Sequence, residues 1–361
     1  MFQIPKFIEP DFSQEKFTTA PDASTKKVMV KGVAPEGYHA TSMYPEYYKI
    51  NGRWVLMPET RMDCVPVIHP DGSLEAKEFR RLEIGETVIV GRTDDGSEGI
   101  YLYSEGFKNE DGKIDTFAFR SGRTRETSFE VDYDNLAELL KHDKDKGYII
   151  WVLGPAVVFN AAARESLEYI IGQGYAHAVF GGNAVVTHDL EGAIFGTALG
   201  QDIRTRENRH NGHYNHLDAI NLIKRAGSVE KGIEELGIDN GVIYACVKNK
   251  VPFVMAGSIR DDGPMPGVID DMSAVQDAMR KHTRKATTVV CLASQLHTIA
   301  TGNLTPSYTV VDGQVRPVYI YAVDISEFVL NKLRDRGTLE VTTIVSNVHD
   351  FLYKLVDKLK K

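Results

Sequence analysis

The stretch AGSIRDDGPMP at residues 256–266 is the part of the sequence that points most directly to chemistry. It follows the apolar run VPFVM, which indicates a short buried strand. In open α/β sheets, ligands bind in the crevice beyond the carboxyl ends of the strands. Gly257 has no β carbon and would allow close approach of a ligand, and the two adjacent aspartates would accept hydrogen bonds from ribose hydroxyls or a substrate ammonium. The stretch predicts a ligand site; the alternative is a solvated turn in which Arg260 offsets the two acids.

Small or polar residues also follow other predicted strands. Gly154-Pro155, Gly181-Gly182-Asn183 and Asp324 each come directly after an apolar run. Loops on one edge of a parallel sheet would bring them together. A nucleotide needs this combination of glycines near its phosphates, helix N-termini and a carboxylate for a ribose. The GxGxxG fingerprint is absent from the sequence, so ordinary tight turns between strand and helix are the alternative. Asp324 also has the capping-box spacing to Glu327, and one aspartate can cap a helix while it faces a ligand.

Two histidines and a cysteine–lysine pair are further candidates for catalysis. His188 and His297 lie near predicted helix starts, and either would serve as a general acid or base near pH 7. Cys246 and Lys248 precede the strand before AGSIRDDGPMP and gain interest from that nearness in sequence. The alternatives are hydrogen-bonded structural histidines, a small core cysteine and a surface lysine.

Three more histidines are spaced three residues apart. His210, His213 and His216 would share one face of a helix. The nearest carboxylates do not complete a metal site, because Glu207 precedes the helix and Asp218 points off the histidine face. We therefore predict no metal, and expect solvated or substrate-facing histidines.

Composition limits the class of protein. The chain has 361 residues, of which 42% are hydrophobic and 25% charged, and a net charge of -8. This length favours two domains, and the negative charge disfavours a nucleic-acid partner. No apolar run reaches the ~18 residues of a membrane span. The first residues lack the features of a signal peptide, and the cysteines (Cys64, Cys246, Cys291) are odd in number and far apart. We expect a cytoplasmic protein.

The elements that would position these residues fall into two parts. Short β-branched or aromatic runs separated by turns dominate up to about residue 133. From Tyr148, continuous apolar runs alternate with helical stretches, which predicts a parallel sheet with helices on both faces. We predict domains at residues 1–145 and 146–361. Predicted strands are 27–32, 86–91, 99–103, 148–153, 176–180, 251–256, 286–292, 317–323 and 339–345. Predicted helices are 133–141, 161–172, 213–226, 229–236, 270–282, 326–336 and 347–360.

Short motifs along nearly the whole chain carry a family resemblance. They are YP at 44–45, GRWV at 52–55, MDC at 62–64, GPAVV at 154–158, GNA at 182–184, THDLE at 187–191, FGT at 195–197, GH at 212–213, HL at 216–217, AIN at 219–221, CVKN at 246–249, residues 252–264, LH at 296–297, GN at 302–303, VDI at 323–325 and DRG at 335–337. In this order the sequence resembles the archaeal and cyanobacterial ornithine cyclodeaminases that carry the lysine-oxoglutarate reductase/saccharopine dehydrogenase conserved region. These are distinct from the crystallin-like ornithine cyclodeaminases.

The resemblance implies an α/β fold with an N-terminal α+β domain on the substrate side. It implies a C-terminal Rossmann-like, NAD-binding domain of the deoxyhypusine synthase kind, which would explain the missing GxGxxG. The implied reaction converts L-ornithine to proline and ammonia by internal hydride transfer. The implied partners are a small amino-acid substrate and further copies of the chain in a homo-oligomer.

The same resemblance assigns site residues. The candidates for the base, the amine and carboxylate partners and the proton carriers are Asp63, Asp262, Lys248, Arg260, His188, His297 and Cys246. The residues expected to line the NAD site are Gly154, Gly181, Gly182, Asn183, Ala256, Gly257, Ser258, Asp261, Gly302, Asn303 and Asp324.

Two departures from the family pattern bear on the substrate. The sequence FNAA at 159–162 stands where the family has His-Thr-Gly-Gly, and GHYNH at 212–216 stands where it has Gly-His-Arg-His-His. Both segments are expected to face the ligand, and Phe159 adds bulk in place of a polar ring. From the resemblance and these departures, we expect the substrate to be ornithine or a close basic amino acid. The alternatives are a net NAD(P)-dependent amino-acid or imine oxidoreductase and a regulatory protein that holds NAD without catalysis.

Overall fold

The computed structural model describes residues 3–108, 129–261, 263–326 and 340–361. Its strands are β1 (Lys6–Phe7), β2 (Ser24–Lys27), β3 (Glu46–Ile50), β4 (Arg53–Leu56), β5 (Val65–Ile68), β6 (Leu74–Lys77), β7 (Thr87–Val90), β8 (Ile100–Leu102), β9 (Phe107–Lys108), β10 (Ile149–Leu153), β11 (Ala178–Gly182), β12 (Thr197–Ala198), β13 (Gln201–Asp202), β14 (Phe253–Ala256), β15 (Thr288–Leu292), β16 (Tyr308–Val311), β17 (Gln314–Pro317), β18 (Tyr319–Asp324) and β19 (Glu340–Val345). Its α-helices are α1 (Glu15–Thr18), α2 (Glu130–Lys146), α3 (Ala161–Gly172), α4 (Asn183–Phe195), α5 (Asn215–Ala226), α6 (Val229–Glu235), α7 (Val242–Lys248), α8 (Met272–Thr283), α9 (Gln295–Leu304) and α10 (Val348–Lys360).

A six-stranded parallel sheet forms the centre of the fold. Its strands lie in the order β14-β11-β10-β15-β18-β19. Numbered along the chain, this is the Rossmann order 3-2-1-4-5-6, so the predicted parallel sheet is confirmed. Strand addition reverses direction between β10 and β15. The helices that follow these two strands, α3 and α9, pack on opposite faces of the sheet, and folds of this kind bind ligands at the carboxyl edge where the strand order reverses.

Alternate side chains of the central strands enter two apolar cores. Trp151 and Leu153 of β10 face one core, which α2, α3, α4, α7 and α10 cover. Ile150 and Val152 face the other core, which α8 and α9 cover. Continuous apolar strands are expected where both faces of a sheet are covered, and this explains the apolar runs in the sequence. No helix of the described residues is long and apolar enough to cross a membrane.

The N-terminal part consists of antiparallel sheets. One has the strand order β2-β7-β5-β6 and another β4-β3-β8, around a core that includes Tyr48, Met57 and Ile89. This N-terminal part contacts the side of the parallel sheet that α8 covers. Arg80 and Arg81 both bond to Asp277 of α8, at 3.0 and 3.1 Å. The division of the chain at residues 145 and 146 stays a prediction; the helix α2 next to it packs on the parallel sheet.

Most predicted elements of the parallel sheet agree with the structure, and the bounds of α3 match the prediction. The predicted strand at 27–32 is wrong, because β2 ends at Lys27. The chain then turns tightly between Val30 and Val33, with Gly32 at a φ of 74°. The predicted helix ranges omit α4, α7 and α9. The predicted helix at 326–336 lies almost entirely outside the described residues.

Candidate active site

The crevice at the carboxyl edge begins where two loops touch. Gly154 follows β10 and Ala293 follows β15. A β carbon on residue 154 would lie 1.7 Å from the carbonyl oxygen of Ala293. The N–H of Gly154 donates to the carbonyl of Leu292 at 2.7 Å, and Ala293 has a φ of 48°. A glycine is therefore required at 154 by backbone contact within the chain, at the point where the strand order reverses.

Two helices start at this edge with open first turns. The helix α4 follows β11 directly, and its N-cap residue, Gly182, has no side chain with which to cap it. The N-cap residue of α9 is Ser294, whose hydroxyl lies 3.2 Å from Nδ1 of His297 instead of capping a backbone N–H. In contrast, Asn160 caps α3 by accepting the N–H of Ala163 at 3.2 Å. The first turns of α4 and α9 therefore offer backbone N–H groups and a positive dipole end to an anion.

His297 reaches from α9 to the end of β11. Its Cε1 would lie 3.0 Å from a β carbon on Gly182, so the ring covers this glycine. Burial lowers the pKa of His297, which keeps the imidazole neutral near pH 7. The structure thus brings together two of the predicted site residues that are 115 positions apart in the sequence.

The glycines and alanine at the ends of β11 and β14 serve packing. Gly181 and Gly182 pair in register with Met255 and Ala256. A β carbon on Gly181 would lie 3.2 Å from Sδ of Met255. Gly257 donates its N–H to the carbonyl of Ile269 at 2.7 Å. The backbone that approaches Gly257 closely is therefore that of the chain itself, which corrects the predicted reason for a glycine there.

The loop after Gly257 forms an exposed turn at the same edge. Oδ2 of Asp261 accepts the N–H of Ser258 at 2.7 Å. The N–H of Arg260 donates to the Ser258 hydroxyl at 3.2 Å, and the Arg260 side chain is exposed. Asn183 ties this loop to α4, since its Oδ1 accepts the N–H of Met265 at 3.0 Å. Asp262 lies outside the described residues.

Asp324 stands at the end of β18, on the same edge as Gly154. Its Oδ1 accepts the N–H of Ser326 at 2.8 Å, as a capping aspartate does. The partner proposed for a capping box, Glu327, lies outside the described residues. Asp324 is partly buried, so its local bond and a contact with a ligand are compatible.

A buried carboxylate organises the segment after α4. Oε2 of Glu191 lies 2.7 Å from Nδ1 of His188 and accepts the N–H of Leu199 at 3.1 Å. Oε1 accepts the Thr197 hydroxyl at 2.8 Å and the N–H of Gly200 at 3.1 Å. Burial by itself would raise the pKa of Glu191, but the bonds from His188, Gly200 and Thr197 outweigh it and lower the pKa. Glu191 is therefore an ionised carboxylate that accepts four hydrogen bonds.

The predicted ligand-facing segments surround His188. The Phe159 ring meets the His188 ring edge-on, with centroids 5.5 Å apart. The His216 ring lies 6.0 Å from His188, and Nδ1 of His216 is buried without a partner among the described residues. His213 instead packs on Tyr214, with centroids 4.2 Å apart. The spaced histidines therefore separate, and His216 alone of these three is seen to join His188.

Cys246 and Lys248 lie at the wrong edge of the sheet for the predicted roles. The helix α7 ends just before β14 begins, so both residues are near the amino end of that strand. Cys246 is fully buried in the apolar core, and burial raises the pKa of its thiol. Lys248 is exposed, with Nζ 5.3 Å from the ring centroid of Tyr244. The structure therefore does not bring either residue to the carboxyl edge, where the other candidates lie.

Gly302 and Asn303 lie in the last turn of α9, where Asn303 meets the segment that contains Asp63. Nη1 of Arg61 donates to the carbonyl of Asn303 at 2.8 Å, and Asp63 follows in an exposed turn with a φ of 65°. Asn303 is six residues beyond His297, about 9 Å along α9. Asn303 is therefore displaced along α9 from the start of the helix at the crevice.

The sequence prediction omitted Glu191 and Ser294 from the site. A signal for Glu191 existed, because residues three apart on a helix face each other and His188 precedes Glu191 by three. A signal for Ser294 was its position directly before a predicted helix start. Ala293 gave no signal, because its role comes from backbone contact with Gly154.

The sequence matches known proteins along most of its length. Residues 134–355 match the family described as arginine dihydrolase ArgZ-like, C-terminal, Rossmann fold. The ornithine cyclodeaminase of Methanopyrus kandleri is 39% identical over 332 residues, which is 91% of this chain and 76% of that protein. The bifunctional arginine dihydrolase/ornithine cyclodeaminase AgrE of Nostoc sp. is 37% identical over 344 residues, which is 94% of this chain and 47% of AgrE. The chain spans about half the length of this bifunctional relative.

Solved structures extend these similarities to the fold. A conserved LOR/SDH protein from Methanococcus maripaludis has a TM-score of 0.82 at 33% identity, over 94% of this chain and 98% of that chain. The ternary complex of AgrE with ornithine and NAD⁺ has a TM-score of 0.59 at 34% identity, over 95% of this chain and 46% of that chain. The α/β fold with a Rossmann-like sheet is confirmed.

Proposed function

Since the chain belongs to the family of the archaeal ornithine cyclodeaminases and the C-terminal Rossmann region of the ArgZ-like proteins, we propose that it converts L-ornithine, or a close basic amino acid, to proline and ammonia with NAD. The observation that carries the proposal is the convergence at the carboxyl edge. Two open helix N-termini and the partly buried His297 meet there beside the reversal of strand order. The helix N-termini would bind an anionic dinucleotide, and the histidine would accept a proton from an amine substrate.

The residues at this edge fit NAD. The open first turns of α4 and α9 would take its negatively charged pyrophosphate. The turn after β10, where GxGxxG usually lies, is occupied by contact between Gly154 and Ala293, and the next helix is already capped by Asn160. This supports phosphate binding at α4 and α9 and accounts for the missing fingerprint. Asp324 and the turn that contains Asp261 are the proposed ribose partners.

When bound, NAD⁺ would accept a hydride from Cα of the amino acid and later return it, so that no net oxidation results. The chain itself must neutralise the α-ammonium first, since hydride leaves from the neutral amine. His297 is a candidate to take this proton, because burial lowers its pKa and leaves the ring unprotonated near pH 7. Arg260 is the proposed partner of the substrate carboxylate. From the family resemblance, we propose that the carboxylate of Asp262 stabilises the cationic imine.

The environment of His188 supports a substrate close to ornithine. Phe159 contacts this histidine edge-on and narrows the space beside it with an apolar ring. A substrate with a flexible chain and a terminal amine is compatible with that surface.

We also propose, from the family resemblance, a cytoplasmic homo-oligomer.

The experiment is incubation of the purified protein with NAD⁺ and L-ornithine, with ammonia, proline and NADH absorbance followed together. Ammonia and proline in equal amounts without accumulated NADH are expected. Accumulating NADH would instead indicate a net oxidoreductase. If calorimetry shows that the protein binds NAD⁺ but neither ammonia nor proline forms, the result would contradict ornithine as the substrate.

Two exposed cations provide a matched pair of variants. Arg260→Ala should raise the KM for ornithine on the order of tenfold, because it removes a charged hydrogen-bond partner worth about 1.5–3 kcal/mol. Lys248→Ala should leave KM and kcat within twofold, because Lys248 lies at the opposite edge of the sheet. The reverse pattern would contradict the proposed substrate site.

A further inference from the structure

Four hydrogen bonds to the buried Glu191 are described, and His188 is the one titratable side chain among these partners. Glu191 has no exposed surface, and His188 is 8% exposed. A fully buried carboxylate is costly unless donors surround it. Its four donors come from a helix, a strand and a turn, so the arrangement is built by the tertiary structure. The hydrogen bond that one ring nitrogen of a histidine makes to a carboxylate determines which of the two nitrogens carries the proton.

We propose that Glu191 is a positioning residue that holds His188 with Nδ1 protonated, so that Nε2 of His188 carries the proton during amine exchange. The inference rests on the proposed function and deepens it: of the two candidate histidines, His188 and His297, it assigns His188 to the proton transfer between the two substrate nitrogens. Because Nδ1 is committed to Glu191 at 2.7 Å, Nε2 is the nitrogen left to take or give a proton.

The placement of His188 on α4 connects it to the crevice. Ala184 is partly exposed in the first turn of α4, and His188 lies four residues later on the same helix face. Glu191 is a further three residues along that face. The row therefore runs from the open helix N-terminus inwards to the carboxylate. The rings of Phe159 and His216 both neighbour the imidazole.

The chemistry needs one proton moved between two nitrogens. A bond forms between the side-chain nitrogen and Cα, and the bond between Cα and the α-nitrogen breaks. The attacking nitrogen loses a proton, and the departing nitrogen gains one before it leaves as ammonia. With Nε2 of His188 holding that proton between the two events, the exchange gains and loses no proton or electron. The Glu191 carboxylate stabilises the transient imidazolium.

Glu191→Gln is the direct test, because it preserves size and removes the charge. Each Glu191 oxygen accepts two donors, so the amide NH₂ must face a donor in either orientation. We expect kcat to fall roughly 10- to 100-fold, with KM within threefold. The acid limb of the pH profile should also shift. The titratable groups that face His188 are Glu191 on α4 and His216 on α5, so the profile is repeated in His216→Asn to separate their effects.

A double variant distinguishes positioning from a structural role. If Glu191 acts through His188, Glu191→Gln in a His188→Gln background should cost no more than twofold in kcat. Additive losses would overturn the proposal, as would an unchanged kcat and pH profile in Glu191→Gln. His210→Gln is the matched histidine control, because His210 is exposed, and thermal melts verify that each variant is folded.

A spectroscopic measurement on the wild-type protein does not depend on turnover. In ¹⁵N-histidine-labelled protein at about pH 9, where imidazoles are neutral, we expect the His188 proton on Nδ1. Assignment by comparison with His188→Gln identifies the signal. A proton on Nε2 would overturn the proposal even if ornithine is turned over. Absence of turnover in wild type with the proton on Nδ1 would instead contradict the proposed function and leave the Glu191–His188 geometry intact, so the two failures are distinguishable.

Discussion

The His297 ring covers Gly182, with Cε1 3.0 Å from the place of a β carbon on that residue. The contact joins the ends of β11 and β15, which lie on either side of β10 in the sheet. It therefore couples the two helices whose first turns are open, since Gly182 is the N-cap residue of α4 and His297 belongs to α9. Any bulk at position 182 must displace the ring of the proposed base.

Gly182→Ala should lower kcat/KM by about tenfold or less, because the His297 ring must shift by a few tenths of an ångström, and a full ångström at a catalytic group costs about 100-fold. Steady-state kinetics with ornithine would measure it. Gly172→Ala is the matched control, because a β carbon at Gly172 meets nothing within 4 Å. Equal activity of both variants would contradict a catalytic position for His297.

Gly154→Ala should be severely destabilising. The new methyl carbon would lie 1.7 Å from the backbone oxygen of Ala293, and backbone on both sides cannot move aside as a flexible side chain can. We expect a loss on the order of 3 kcal/mol or more in the free energy of unfolding. Urea denaturation would measure the change. A loss below about 1 kcal/mol would show that the two loops separate readily.

The three cysteines should be unreactive in the folded protein. Cys64, Cys246 and Cys291 are buried, and burial raises the pKa of Cys291 to about 12. Only a thiolate reacts rapidly with a disulfide reagent. At pH 8 we expect negligible labelling by Ellman's reagent within minutes, and three thiols per chain after denaturation. Fast labelling of Cys246 in the native protein, located by mass spectrometry, would restore it as a candidate nucleophile.

Stability should fall as the pH drops below about 6.5, the ordinary pKa of histidine. Burial lowers the pKa of His177 in the folded state. Its Nδ1 accepts the N–H of Ile149 at 3.0 Å, and protonation would remove that acceptor. The unfolded chain binds more protons than the folded one between the two pKa values, so the stability is present above 6.5 and is lost as the pH falls through this window. His282 and His297 shift in the same direction.

The urea midpoint at pH 7.5 and at pH 5.5 measures this loss. A His177→Gln variant should show a smaller drop between the two conditions than the wild type, and His210→Gln, at an exposed site, should show the wild-type drop. A midpoint that rises on acidification would contradict the sign, since it would require the folded state to bind the extra protons.

Local features of the sequence determined much of the fold. The bounds of α3 follow from helical periodicity and the cap at Asn160, which involve neighbouring residues. The apolar runs of β10 and β15 indicated strands covered on both faces. The motifs around THDLE and AGSIRDDGP carried the family resemblance, which the relatives confirm. These inferences succeed because periodicity, capping and short motifs belong to contiguous residues.

Tertiary structure alone decided which residues meet. Lys248 is close to Gly257 in sequence but lies across the length of β14 from it, because α7 leads into that strand from the amino edge. Gly182 and His297 are distant in sequence but in contact. The contact of Gly154 with Ala293 likewise depends on β10 and β15 being neighbours. Strand order is set by packing of the whole sheet, so neither spacing nor residue type along the chain determines which side chains share the crevice.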